Sequence, residues 1–250
     1  MSPDLLHSTT RGKGPRIVLV HGFTQTGRSW APIVDRLAER FEVVTVDAPG
    51  HGGSSRVETS LDDGAELLGA TSGAATYVGY SMGGRLCLHL ALAHPELVDG
   101  LVLLSATAGI EDDGERTARR SQDDALATTI EHDGVDAFLD RWVAQPMFAT
   151  LTDPGLDDRR RNDAAGLASS LRLAGTGTQR PLWDRLPSLT MPVLVVAGER
   201  DVKFVALAER MAGLIADATL AIVAGAGHTA HLECPDDFVD ALESWMSVTR

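Results

Sequence analysis

The sequence predicts an α/β fold in which a mostly parallel sheet carries helices on both faces. Three observations predict it: short continuous apolar runs, helix-like stretches alternating with them, and a chain long enough to enclose one large core. The chain has 250 residues, of which 44% are hydrophobic. That length and content suit a single α/β core better than several small domains.

The strand runs are IVLVHG (17–22), VVTVDA (43–48), TYVGY (76–80), LVLLSA (101–106), VLVVAGE (193–199) and TLAIVAG (219–225). Their apolar character is continuous rather than alternating, which predicts strands buried on both faces. Between them, SWAPIVDRLAERF (29–41), GGRLCLHLALAHP (83–95), VALAERMAGLIA (205–216) and PDDFVDALESWM (235–246) read as helices. This alternation predicts an α/β sheet with right-handed crossovers. The pattern breaks from Thr107 to Leu186, a stretch rich in Asp, Arg and Ala with no buried-strand signal. It predicts a helical cap inserted after strand six, over the carboxyl ends of the strands, where open α/β sheets bind ligands. The expected division is a core of residues 1–106 and 187–250 and a cap of residues 107–186.

Composition narrows the function. No apolar run approaches the ~18 residues of a membrane span, and the N-terminal stretch MSPDLLHSTTRGKG has no apolar signal-peptide centre. Cys87 and Cys234 make neither a metal-ligand spacing nor a disulfide framework. A cytoplasmic, reduced protein is expected. The net charge of −13 argues against general affinity for nucleic acid or anionic membranes. There are 20 Arg but only two Lys, Lys13 and Lys203. An anion site is therefore expected to be an arginine site, able to bind carboxylates bidentately.

The segment GYSMG (79–83) follows the run TYVGY and precedes the helix GGRLCLHLAL. That strand–turn–helix setting is what a G-x-S-x-G nucleophile turn needs, and it presents Ser81 at the top of the sheet. The fold supplies an acid and a base in the order Ser, Asp, His. Asp201 follows VLVVAGE and His228 follows TLAIVAG, so all three lie at carboxyl ends of strands. Glu199 and Asp217 are weaker candidates for the acid. Two backbone amides should form the oxyanion site: Met82, directly after the serine, and Phe23, in the loop after the third strand. His21 and His51, the latter in the glycine-rich stretch DAPGHGGS (47–54), read as loop braces. His89, His94, His132 and His231 read as helix-surface or locally hydrogen-bonded residues. Arg85, four residues after Ser81, should share its helix face.

These motifs together resemble the α/β-hydrolase superfamily over essentially the whole chain. A closer resemblance is to the 2-succinyl-6-hydroxy-2,4-cyclohexadiene-1-carboxylate (SHCHC) synthases of menaquinone biosynthesis. It is carried by GYSMGGRL (79–86), ERTARRSQDD (115–124), RWVAQPMFATL (141–151), GERDVKF (198–204) and AGAGHTAHLECP (224–235). Val205 departs from the proline that many relatives place four residues after the acid. The resemblance implies an α/β-hydrolase fold and a lyase that eliminates pyruvate from a cyclohexene bearing succinyl, carboxylate and enolpyruvyl groups. It implies that Ser81, activated by His228 and Asp201, removes a ring proton while the Phe23 and Met82 amides hold an enolate. It further implies substrate contacts from Arg85, from Arg119 with Arg120 its rival, and from Arg161 by a less secure match. Tyr80 and Trp142 match positions lining the pocket.

Residues 110–185 carry 10 Arg against 15 Asp plus Glu, so most cap arginines are expected to be solvated or ion-paired. The same trio would serve a serine hydrolase acting on a small anionic ester or on a C–C bond beside a ketone. A binding protein on an inactive scaffold would lack one of the three residues, and all three are present. The motifs require no metal and no organic cofactor. The expected partner is a small carboxylate-bearing substrate, and a monomer satisfies every motif.

Overall fold

In the computed structural model, which describes residues 5–153 and 155–249, seven strands form one sheet. They are β1 (Ser8–Arg11), β2 (Arg16–Val20), β3 (Glu42–Val46), β4 (Ala75–Tyr80), β5 (Val98–Leu104), β6 (Val193–Gly198) and β7 (Ala218–Val223). Their spatial order is β1-β3-β2-β4-β5-β6-β7. β1 runs antiparallel to β3, and every other pair is parallel.

Two-sided burial explains the continuous apolar runs. Side chains alternate across a strand, so Val18 and Val20 join one core while Ile17 and Leu19 join the other. The first core packs beneath α2 (Leu61–Ser72), α3 (Met82–Ala93) and α8 (Val202–Leu214). The second packs beneath α1 (Ala31–Ala38) and α10 (Pro235–Val248).

Three features differ from the sequence expectation. The cap follows the fifth strand, not the sixth, and the Phe23 loop follows the second strand, not the third, because one strand rather than two precedes β2. That strand, β1, is the exposed sequence STTR; it has no apolar pattern and exists through its pairing with β3. β7 is an edge strand with Leu220 and Ile222 exposed, not a strand buried on both faces. Helix α2 also went unpredicted. Gly64 and Gly69 dilute its helical pattern, yet Ser60 caps it by accepting from the Asp63 amide (3.1 Å).

Between β5 and β6 lie α4 (Asp113–Asp133), α5 (Val135–Val143), α6 (Leu156–Arg159) and α7 (Ala164–Ala174). These helices share a small core that includes Ile130, Phe138, Leu139 and Leu167. One side chain on α6 and one just after it pin the cap to two loops of the main domain. Asp158 accepts from the Thr26 amide (3.0 Å). The Asn162 amide group accepts from Gly52 N (2.9 Å) and donates to the Thr24 carbonyl (2.6 Å). No helix among the described residues is long and apolar enough to cross a membrane.

Candidate active site

The turn between β4 and α3 holds Ser81 at φ 51°, ψ −108°, a left-handed conformation that an L-residue adopts only under constraint. The constraint is hydrogen-bonded: Ser81 N donates to the Leu104 carbonyl (2.8 Å), and Arg85 N donates to the Ser81 carbonyl (3.1 Å). Gly83 lies against β2, and a Cβ there would stand 2.2 Å from the Val20 carbonyl oxygen. Gly83→Ala must therefore push the helix off the sheet. Overpacking of this kind costs about 1–3 kcal/mol, which for a chain of this size is a fall in Tm of roughly 2–12 °C. Calorimetry checks this.

Ser81 Oγ lies 3.3 Å from His228 Nε2, and His228 Nδ1 lies 2.6 Å from Asp201 Oδ2. A carboxylate at Nδ1 requires the imidazole proton there, so Nε2 turns its lone pair toward the serine. Asp201 also caps α8 by accepting from Phe204 N (3.4 Å). Of the three acidic candidates, Asp201 meets the histidine. Glu199 instead accepts from Gly225 N, and the Asp217 carbonyl accepts from Val193 N at the far end of β6. His228 is buried, with the Tyr80 and Phe204 rings 5.4 and 4.5 Å away.

Among the described residues, no acceptor engages the Phe23 or Met82 amide, and both residues line the cavity in front of Ser81. Hydrogen bonds brace the loop that carries Phe23. The His51 ring accepts from Thr24 N (3.3 Å), and His21 accepts from Ala48 N (3.0 Å). Both histidines are buried braces, and burial holds each below its ordinary pKa. Amides left without an acceptor on two residues that line one cavity are the kind of donor that can hold an oxygen on which negative charge develops.

The cavity has a volume of about 490 Å³. Ser81, Phe23, Arg85, Arg119, Trp142 and Lys203 are among its lining residues. Arg85 is buried on α3 and donates from Nη1 to the Ala174 carbonyl (2.9 Å). Burial, and secondarily the charge of Arg119, push its pKa down to about 10. Arg119 pairs through Nε with Asp123 (2.8 Å), while Arg120 is exposed. Consecutive helical residues lie about 100° apart, so only one of these two can face the cavity. Lys203 contradicts the expectation of an arginine-only site, and its nitrogen sits 5.8 Å from the Phe204 ring centroid.

Three expectations fail on geometry. Tyr80 does not line the cavity. It lies beneath it against His228 and His231, because β4 turns that side chain into the core below the serine. Arg161 is exposed and lines a separate groove with Arg28 and Asp47. The Asp158 and Asn162 anchors orient α6 so that Arg159, two residues earlier, is the buried arginine. It donates to Thr24 Oγ1 and lies 5.6 Å from the Phe148 ring centroid. His231 is neither on the surface nor hydrogen-bonded among the described residues; it is buried between Trp30 and Tyr80.

The sequence reading also missed Glu233, whose carboxylate touches both peptides flanking His228. The segment AGAGHTAHLECP contained it, but nothing local marks an acid five residues past a histidine as its support.

The Alpha/beta hydrolase family model matches residues 17–241. A Bacillus subtilis (strain 168) protein that provisionally carries the name 2-succinyl-6-hydroxy-2,4-cyclohexadiene-1-carboxylate synthase is 36% identical over 235 residues, 88% of this chain and 85% of that protein. A protein of that name from Salmonella paratyphi A is 32% identical over 249 residues, 94% of this chain and 95% of its own. A solved structure described as MenH from S. aureus is similar with a TM-score of 0.91 and 30% identity, over 97% of this chain and 98% of that one.

Proposed function

We propose that this chain, which belongs to the alpha/beta hydrolase family and stands with its SHCHC synthases, eliminates pyruvate from an enolpyruvyl-cyclohexene tricarboxylate. The observation that carries the proposal is a buried Arg85 inside the cavity that Ser81 faces, with Arg119 and Lys203 also on its wall. Bringing carboxylates into a partly closed site is costly unless cations meet them. Arg119 is shared with Asp123. Arg85 and Lys203 have no ion-pair partner among the described residues, which leaves both available to carboxylates.

In the proposed reaction, Ser81 Oγ takes the ring proton next to the succinyl group as its own proton passes to His228 Nε2. The electron pair of the broken C–H bond moves toward the succinyl carbonyl and forms an enolate oxygen. In this reading the Phe23 and Met82 amides stabilise that oxygen. Collapse of the enolate gives the ring a second double bond, making it a cyclohexadiene, and breaks the C–O bond to the enolpyruvyl group, which leaves as pyruvate with the proton from His228. Asp201 holds the imidazolium that exists between the two transfers. No acyl-enzyme forms and no water is consumed.

The test is pyruvate release from the enolpyruvyl-cyclohexene substrate generated in situ, run beside hydrolysis of a short-chain p-nitrophenyl ester. Fast release with feeble ester hydrolysis is the expected result. The second reading is a serine hydrolase of a small anionic substrate, favoured by the Ser–His–Asp spacing alone. Vigorous ester hydrolysis without pyruvate release would establish it in place of the first.

Lys203 gives a smaller prediction. It is exposed at the cavity mouth, so its contribution should be about 1 kcal/mol. Lys203→Ala should raise KM roughly fivefold at low salt and leave kcat within about a factor of two, as steady-state kinetics would read.

A further inference from the structure

We propose that Glu233 is a positioning residue for His228, and that Thr150 of the cap joins the same carboxylate, so that the cap helps set the imidazole. The inference rests on the proposed role of His228 as the base partner of Ser81.

Helix α9 (Ala230–Glu233) is a single turn that returns Glu233 to the loop holding the histidine. Its two oxygens grip the peptides on either side of His228. Oε2 accepts from Gly227 N (2.8 Å), and Oε1 accepts from Thr229 N (3.0 Å) and Thr229 Oγ1 (2.6 Å). Thr150, just past the cap turn at Pro146–Phe148, sets its hydroxyl beside the same carboxylate. A Cβ on Gly227 would lie 2.3 Å from Thr150 Oγ1 and 3.2 Å from Glu233 Oε2, and the hydroxyl helps hold the carboxyl below its ordinary pKa. The same cap turn brings Phe148 to His228, ring to ring at 6.4 Å.

Glu233 has no ion-pair partner among the described residues. Its half-buried carboxylate is satisfied by hydrogen-bond donors alone. Burial raises its pKa, but the hydrogen bonds from Thr150, Thr229 and the two amides outweigh that, and the group lies below its ordinary value. It is therefore an anion at neutral pH, an acceptor for every donor around it. An acceptor that fixes the peptides before and after His228 leaves the imidazole little freedom except rotation about its own side chain, which Asp201 holds. The Ser81–His228 separation of 3.3 Å is at the long end of a hydrogen bond, so a small loop shift changes proton transfer directly.

Glu233→Gln keeps the shape but turns an NH2 group toward donors that need an acceptor. The test compares Glu233→Gln, Thr150→Val and Thr150→Ser with the wild type. It reads kcat and KM for pyruvate release, the rate of Ser81 labelling by a fluorophosphonate, and the downfield proton resonance of His228 Nδ1–H. The expected results for Glu233→Gln are a fall in kcat and labelling of at least tenfold, KM within about twofold, and a shifted or broadened resonance. Thr150→Val should lower both rates about threefold, with Thr150→Ser recovering most of the loss.

Wild-type labelling and an unchanged resonance in Glu233→Gln would overturn the proposal. So would a Thr150→Val protein indistinguishable from wild type, which carries the test should Glu233→Gln not fold. Labelling needs only the Ser81–His228 pair. A wild type that labels but releases no pyruvate would therefore refute the proposed reaction and leave the Glu233 clamp standing.

Discussion

Ser81→Ala should lower the rate of pyruvate release at least a hundredfold while leaving the protein folded. Proton transfer by a placed side chain contributes about 10²–10⁴ in rate, and Ser81 Oγ heads the Ser81–His228–Asp201 chain and lines the cavity together with His228. The substitution removes one oxygen without new backbone strain, because position 81 is left-handed at φ 51° and alanine tolerates that conformation no worse than serine. The Leu104 and Arg85 backbone hydrogen bonds remain, so Tm should move by no more than a few degrees. Kinetics and calorimetry on one preparation separate the outcomes. A wild-type rate in the folded variant would remove Ser81 from the reaction and the proposed mechanism with it.

Arg85→Ala should cost roughly ten- to a hundredfold in kcat/KM for the tricarboxylate, since losing a buried charged hydrogen bond costs about 1.5–3 kcal/mol. The pKa of Arg85, though pushed down to about 10, leaves it cationic at neutral pH, so charge as well as shape is lost. A neutral p-nitrophenyl ester offers no carboxylate, and its hydrolysis should fall far less. That differential is the informative quantity. An equal loss on both substrates would mean that Arg85 merely supports the turn through its bond to the Ala174 carbonyl. Arg85→Lys should recover part of the loss, because a lysine keeps the charge but not the planar fork that grips a carboxylate with two parallel bonds.

The trio was legible in the sequence because each member lies at or shortly after the end of a strand that announces itself by an apolar run. Ser81 follows β4, Asp201 lies three residues past β6, and His228 lies five past β7. A parallel sheet brings those ends to one edge whatever the loops do. Arg85 was legible for a related reason: helical periodicity ties its direction to that of Ser81, with no need of distant contacts. The bracing roles of His21 and His51 followed from their place in the loops beside the serine.

The cap was another matter. Arg119 against Arg120 is a question of how α4 is rotated about its axis. The answer comes from packing in the cap core and from the amide of Gly177, which donates to Asp123 and fixes the acid that pairs with Arg119. Arg159 in place of Arg161 depends on Asp158 and Asn162 meeting loops more than a hundred residues away in the chain. Tyr80, read as a wall of the pocket, went into the core beneath it once β4 set which side chains face inward. Lys203 and Glu233 acquired their surroundings only when β6, β7 and the cap turn at Pro146–Phe148 came together.

The sequence by itself determined the parallel strands β2 to β7, four of the helices that cover them, the order of Ser81, Asp201 and His228, and the arginine beside the serine. Each rests on local periodicity or on the edge to which parallel strands deliver their ends. Only the tertiary structure decided which cap cations turn inward and which carboxylate steadies the histidine. Those outcomes depend on contacts between segments far apart in the chain, and no spacing within any one segment encodes them.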